Sequence, residues 1–277
     1  MITRFAPSPT GDLHLGHALA AWIAFDLAKR NGGEMLLRFE DIDVTRVRSE
    51  FYDAIEEDLS WLGITWSGVP WRQLDRTDAY QAALEKLQTL GVLYPCFCTR
   101  KEIAMMTSAP QRDDGLEGVL YPGICRNLTE SEKQQRIKRG DRWSWRLDAA
   151  KATQLCGPLS WHDHRFGESM LDPQMLGDVV IARKDIGVSY HLAVVVDDAA
   201  QNVTWVTRGE DLLSSTHVHV MLQKLLGVPQ PRYWHHSLVC DEQGKRLAKR
   251  HDALSLRAMR EGGVSPIEVI ERITTFL

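Results

Sequence analysis

Arg4-Phe5-Ala6-Pro7-Ser8-Pro9-Thr10-Gly11-Asp12-Leu13-His14-Leu15-Gly16-His17-Ala18 sets two prolines, two glycines and two histidines within fifteen residues. Proline and glycine disfavour the interior of a helix or strand, so the segment reads as a shaped turn. Residues 1 to 7 read as a short strand. From about His14, Leu15, Leu19, Ile23 and Leu27 recur at helical spacing until Asn31-Gly32-Gly33, a C-terminal stop. Glu34 to Phe39 reads as a second strand, and a strand–helix–strand unit of this length begins a parallel sheet. The quoted stretch is therefore a strand-to-helix junction. Glycines there let a ligand approach the backbone. The helix start offers unpaired amides and partial positive charge, which together suit phosphate. His14 and His17 share one face of that helix start and can donate to phosphate oxygens. A capped helix with two surface histidines is the simpler alternative.

The whole chain of 277 residues is ordinary in composition, 44% hydrophobic and 25% charged, and has material for one large domain or two modest ones. The formal net charge of −4 gives no global sign of nucleic-acid binding. Two local basic stretches stand out, from Arg126 to Arg146 and from Lys245 to Arg250. No apolar run is long enough to span a membrane and the N-terminus lacks a signal pattern, so a cytoplasmic protein is expected. Five cysteines without such a signal argue against a disulfide framework. Helices are expected over about Ser49 to Leu62, Thr77 to Leu90 and Asp211 to Leu226, with two short ones after about Leu254. Strands are expected at Trp143 to Leu147, Asp178 to Ala182 and Val203 to Val206. The stretch from Tyr94 to about Gln174, rich in cysteine, glycine, proline and charge, reads as an inserted domain.

The stretch from Arg4 to His17 closely resembles the first signature of class I aminoacyl-tRNA synthetases, and within them the glutamyl and glutaminyl branch. Arg246-Leu247-Ala248-Lys249-Arg250 resembles the second, KMSKS-like signature, with alanine where the motif often has serine. The resemblance runs from Arg4 to at least His251. It implies an α/β fold: a Rossmann-type parallel sheet in a nucleotide-binding domain, a zinc-containing inserted domain and a short helical C-terminal segment. The implied divisions are residues 1–93 and 176–240 for the two catalytic halves, 94–175 for the insertion, and 241–277 for a mobile signature loop and helical end. It also implies activation of L-glutamate by ATP with Mg²⁺. His14, His17 and Lys249 are the catalytic candidates, and Pro7, Gly11, Gly16 and Arg246 join them as ATP contacts. Lysine suits the last role as a flexible point charge. A glutamate pocket needs a guanidinium, whose planar fork selects carboxylate. Arg4 is assigned to the side-chain carboxylate, Glu40 to the ammonium, and Ser8, Tyr190 and Arg208 to the remaining pocket. Three thiols at Cys96, Cys98 and Cys125 fall one short of the tetrahedron zinc prefers. The branch that glutamylates a modified tRNA base supplies Tyr121 as the fourth ligand. A histidine two residues after the last cysteine, used by some glutamyl-tRNA synthetases, is here Asn127. The chain ends at Leu277, soon after the second signature, without room for an anticodon-reading domain. That points to the truncated branch acting on queuosine in the anticodon stem-loop of tRNA(Asp), as a monomer. A minimal enzyme charging the tRNA acceptor end, and a non-catalytic nucleotide- or RNA-binding paralogue, remain open.

Overall fold

Strand β1 (Ile2–Phe5), helix α1 (Leu15–Arg30) and strand β2 (Glu34–Phe39) form the expected unit, with β1 and β2 parallel from Ile2–Glu34 to Phe5–Leu37. The structure, a computed structural model, describes residues 1–99, 101–103, 120–183, 187–240 and 255–277. Helix α1 is rich in alanine, and Ala18, Leu19, Ala21, Ile23, Ala24 and Ala28 are all buried. Small side chains let the helix lie close against the sheet. Helix α2 (Glu50–Trp61) leads to β3 (Trp71–Arg72), which extends the parallel sheet beyond β2, and helix α3 (Thr77–Thr89) follows.

The next hundred residues alternate between two sheets. Strand β4 (Leu93–Cys96) precedes helix α4 (Glu130–Lys138). Strand β5 (Ser144–Leu147), helix α5 (Ala149–Cys156), β6 (Ser160–Asp163), β7 (Gly167–Met170), β8 (Val180–Arg183) and β9 (Gly187–Val188) follow. Strands β4, β5, β8 and β9 make one antiparallel sheet. Within the stretch expected to be an insertion, the β6–β7 hairpin pairs elsewhere: β6 joins the parallel sheet through Tyr233–Asp163. Buried Trp161 carries it there, packing with Val203, Val206, Val220 and Tyr233.

Helix α6 (Tyr190–Ala200), strand β10 (Trp205–Gly209), helix α7 (Ser215–Leu226) and strand β11 (Arg232–His236) complete the sheet, and α8 (Leu256–Glu261) and α9 (Pro266–Thr274) end the chain. Strands β10 and β11 are parallel. Strand β10 lies along β1, where the Thr204 N–H donates to the Ile2 carbonyl at 2.9 Å. The order is therefore β3-β2-β1-β10-β11-β6, and the chain leaves β1 first to one side and later returns on the other. Ligands of open α/β sheets bind at such a switch point, beyond the carboxyl ends of the strands. The main core beneath it joins Phe5, Leu37 and Phe39 of the sheet with Leu19 and Ile23 of α1, Ile55 and Leu59 of α2, and Val269 and Ile273 of α9.

Candidate active site

A cavity of about 300 Å³ opens at this switch point. Its walls include Arg4, Pro7, Ser8, His14, Gly16, His17, Glu40, Tyr190 and Arg208. Thr207, Gly209, Asp211, His236 and Val239 complete the β10–β11 side. Among the residues anticipated for ATP and glutamate, Gly11 lies in the turn off the cavity wall, and Arg246 and Lys249 lie outside the described residues.

The two signature histidines both cap α1 and face the cavity. His14 is the N-cap residue, and its Nδ1 accepts the Gly16 N–H at 3.1 Å. His17 Nδ1 accepts the His14 N–H at 3.3 Å, and the two rings lie 3.8 Å apart. Each neutral ring therefore carries its proton on Nε2, where it is a donor. The first turn of α1 holds no acidic residue, so the positive end of the helix is not offset locally. Gly16 leaves room for the His14 ring: a Cβ there would stand 3.1 Å from its Cε1, and the ring would have to shift by a few tenths of an ångström. The Pro-Ser-Pro turn is pinned by the Glu40 N–H to the Pro7 carbonyl and the Arg48 N–H to the Pro9 carbonyl, at 3.0 and 3.1 Å.

Beneath the cavity lies a buried ionic cluster that connects β1, β2 and α6. Arg4 Nε donates to Asp198 Oδ1 at 3.1 Å and Arg4 Nη1 to the Thr207 carbonyl at 3.0 Å. Arg38 Nη2 donates to the same Asp198 oxygen at 2.7 Å, and Arg38 Nη1 to Gln201 Oε1 at 2.7 Å. Asp197, fully buried, accepts from Tyr80, Gln73 and Arg76 at 2.7, 3.1 and 3.1 Å. Burial disfavours the Asp198 carboxylate, but Arg4 and Arg38 more than offset it and hold its pKa below the ordinary value. Half-buried Glu40 fares the other way: burial pushes its carboxyl up to about 7 against the pull of Arg38 and Arg4.

Arg208 is buried in the opposite wall. Its Nε donates to His235 Nε2 at 2.9 Å, Nη1 to His219 Nδ1 at 2.9 Å, and Nη2 to Thr216 Oγ1 at 2.7 Å. Tyr190 OH is a longer partner of Nη1 at 3.4 Å. None of the ion pairs among the described residues involves Arg208.

A second cluster lies at the end of β4. The sulfurs of Cys96, Cys98 and Cys125 all fall within 4.8 Å of one another. Tyr121 OH stands 3.4 Å from Cys98 Sγ and accepts the Cys125 N–H at 3.0 Å. A shared proton between two thiols lowers Cys125 to about 6 and raises Cys96 to about 12. Three soft sulfurs and a phenol oxygen converging on one point fit a tetrahedral zinc ion. Of the basic stretch between Arg126 and Arg146, three members serve this region, and one of them, Arg136, lies over the ring of Phe97. Arg126 pairs with Asp178 at 3.1 Å, and Arg146 lies over the Tyr121 ring and donates to the Asp178 carbonyl at 2.6 Å.

The sequence reading did not single out Asp197, Asp198, Arg38, Asp163, His219 or His235. The available signal was charge in apolar company: Arg38 interrupts Met-Leu-Leu-Arg-Phe, and the two aspartates follow three valines.

The chain is similar to proteins already known. The chain is 49% identical to "Glutamyl-Q tRNA(Asp) synthetase" of Rhodobacter capsulatus, covering 97% of this chain and 98% of that protein. It is 43% identical to the protein of that name from Nitratidesulfovibrio vulgaris, covering 94% and 81%. The crystal structure of a glutamate tRNA ligase from Elizabethkingia meningosepticum in complex with its amino acid superposes with a TM-score of 0.76 at 30% identity. That match covers 90% of this chain and 52% of the ligase. The family model "tRNA synthetases class I (E and Q), catalytic domain" matches residues 1–276. With that match spanning the Rossmann-like sheet and the cavity at its switch point, the chain belongs to the class I tRNA synthetases of the E and Q group.

Proposed function

We propose that the chain activates L-glutamate with ATP in the absence of tRNA and then passes the glutamyl group to queuosine in the anticodon loop of tRNA(Asp). The observation that carries the first step is the convergence of two buried guanidiniums, a carboxyl and two imidazole donors on one cavity at the switch point. The α-carboxylate of glutamate attacks the α-phosphorus of ATP and pyrophosphate leaves with its Mg²⁺. No side-chain nucleophile is needed, and the protein positions the reactants and stabilises charge. His14 and His17 donate from Nε2 to phosphate oxygens at the start of α1, and Lys249, with Arg246, meets the outer phosphates from the second signature. Arg4 takes the side-chain carboxylate, Glu40 the ammonium, and Arg208 with Tyr190 the α-carboxylate end. In the second step a queuosine hydroxyl attacks the activated carbonyl and AMP leaves. The choice of queuosine is supported by the names of the relatives that match nearly end to end.

Incubating tRNA(Asp) with the protein, glutamate and ATP should yield glutamylated queuosine by nucleoside mass analysis, and pyrophosphate exchange should proceed without tRNA. Exchange that requires tRNA, with glutamate ending on the 3′ end, would favour the charging enzyme. No exchange would favour a binding paralogue.

The Glu40 carboxyl gives this reading a pH signature. Its folded value, about 7, is above the ordinary 4.5. Below pH 4.5 the group is neutral in both folded and unfolded chains, and as pH climbs toward 7 the folded form resists ionisation, so ligand-free stability falls over that interval. An ammonium needs the carboxylate, so glutamate binding is weakest on the acid side. The KM for glutamate is expected to rise about fivefold from pH 7 to pH 6 as the ionised fraction of a carboxyl titrating near 7 falls, and Glu40→Gln should flatten that rise. A pH-independent KM in the parent protein would count against the assignment.

Zinc held by Cys96, Cys98, Cys125 and Tyr121 is part of the proposal, as a closed structural site that pins the loops around β4. On this reading residues 94–175, apart from the β6–β7 hairpin, form the zinc-containing insertion between catalytic halves 1–93 and 176–240, with 241–277 carrying the second signature and the helical end. Metal analysis should find one zinc per chain. Cys98→Ser should lower zinc occupancy and the melting temperature together, and full stability without zinc would remove the metal from the account.

A further inference from the structure

A buried arginine ordinarily faces a carboxylate, because an unpaired charge in the interior is costly. Arg208 instead faces neutral acceptors. A guanidinium can only donate, so each imidazole nitrogen it meets must be unprotonated. His235 then carries its proton on Nδ1, which stands 2.6 Å from Asp163 Oδ2. His219 carries its proton on Nε2, which stands 3.1 Å from His191 Nδ1. The result is one directed chain, Asp163–His235–Arg208–His219–His191, in which every ring has a defined tautomer. Asp163 is itself satisfied by the N–H groups of Arg165, Phe166 and His235 at 2.9, 3.0 and 3.1 Å. It reaches the site because the β6–β7 hairpin joins the catalytic sheet. Burial pushes His191 and His235 down to about 4 and His219 well below its ordinary value, Arg208 adding to the effect, so all three rings stay neutral at physiological pH.

We propose that His219 and His235 are positioning residues for substrate selection: as neutral acceptors they fix the Arg208 fork toward the cavity without neutralising its charge, which is left for a carboxylate of the amino-acid substrate. Asp163 acts one step behind, orienting His235 while an imidazole keeps it from pairing with the guanidinium. A carboxylate in place of His219 would satisfy Arg208 as well or better and still hold it in place, yet would take away the charge the substrate needs. This rests on the reading that the cavity binds glutamate.

Asparagine and aspartate at position 219 separate the two effects, since both place an oxygen near the position of Nδ1 and both lose the contact to His191. Pyrophosphate exchange should give His219→Asp a glutamate KM at least about thirtyfold above that of His219→Asn, the size expected for loss of a charge-assisted contact. The KM for ATP should be alike in the two variants. Equal glutamate KM values in Asn and Asp variants, with normal parent activity, would overturn the proposal while leaving the substrate reading intact. A parent protein whose exchange ignored glutamate would overturn the substrate reading instead. Long-range ¹H–¹⁵N NMR of the unmodified protein tests the network independently of folding or substrate. Neutral rings with Nδ1–H at His235 and Nε2–H at His219 support it, and an imidazolium or the opposite tautomer at either position at pH 7 overturns it.

Discussion

Replacing Arg4 with alanine is expected to lower kcat/KM for glutamate in pyrophosphate exchange about a thousandfold. Removing one partner of a buried charge pair costs about 3–5 kcal/mol, and each 1.36 kcal/mol is a factor of ten in rate. ATP binding should change little, because the guanidinium lies at the base of the cavity and the phosphate donors belong to the other end of the junction, at the start of α1. The fold should survive, since Asp198 keeps its 2.7 Å bond to Arg38. Arg4→Lys should recover part of the loss, because an ammonium keeps the charge and gives up the fork. Titration calorimetry with a non-hydrolysable ATP analogue beside the exchange assay separates the two sites. Full glutamate activation in Arg4→Ala would remove this residue from the pocket.

Asp197→Ala is expected to be the most damaging single change to stability among the residues around the site. The carboxylate lies fully buried and accepts from Tyr80, Gln73 and Arg76, with Arg38 at 3.9 Å. Its loss would strand the Arg76 guanidinium and two neutral donors and take one of two nearby carboxylates from Arg38, at a cost of about 3–5 kcal/mol. For a chain of this size that is a fall in melting temperature of roughly 6–20 °C. Asp197→Asn keeps an acceptor and loses the charge, so it should fall between. Thermal unfolding followed by circular dichroism checks the series, and an unchanged midpoint in Asp197→Ala would contradict the role given to the cluster.

The sequence made the first half of the sheet readable because the elements there follow simple periods. Helix α1 has regular leucines and a Gly-Gly stop, and β2 is a short, mostly apolar run interrupted only by Arg38 after its first residue Glu34. Helix α6 is hard to read from sequence for the opposite reason. Tyr-His-Leu-Ala-Val-Val-Val-Asp-Asp is buried on nearly every side, and a helix apolar all round has no amphipathic stripe to detect. Strand β11, Arg-Tyr-Trp-His-His, hides its strand character behind two histidines, of which His235 is satisfied by Asp163 and Arg208, both far away in sequence. The same distinction runs through the site. Residues in a contiguous motif, such as His14 and His17, could be named in advance. Asp198 is set beneath Arg4 by a separation of 194 residues, and Asp163 beneath His235 by one of 72. Those pairings depend on which strands become neighbours, and spacing along one chain does not encode that. The hairpin at Ser160 to Met170 shows the point: read locally it belongs to the insertion, yet one buried tryptophan ties it to the catalytic sheet.

The central claim is that one cavity holds both the amino acid and the nucleotide, with carboxylates at Arg4 and Arg208 and phosphate at the head of the first helix. A crystal structure with a non-hydrolysable glutamyl-adenylate mimic tests it most directly. The account places the mimic's side-chain carboxylate on the Arg4 fork, its ammonium on Glu40 and its phosphate-equivalent group beside His14 and His17. A mimic bound away from the switch point, or turned so that neither guanidinium meets its glutamyl end, would contradict it.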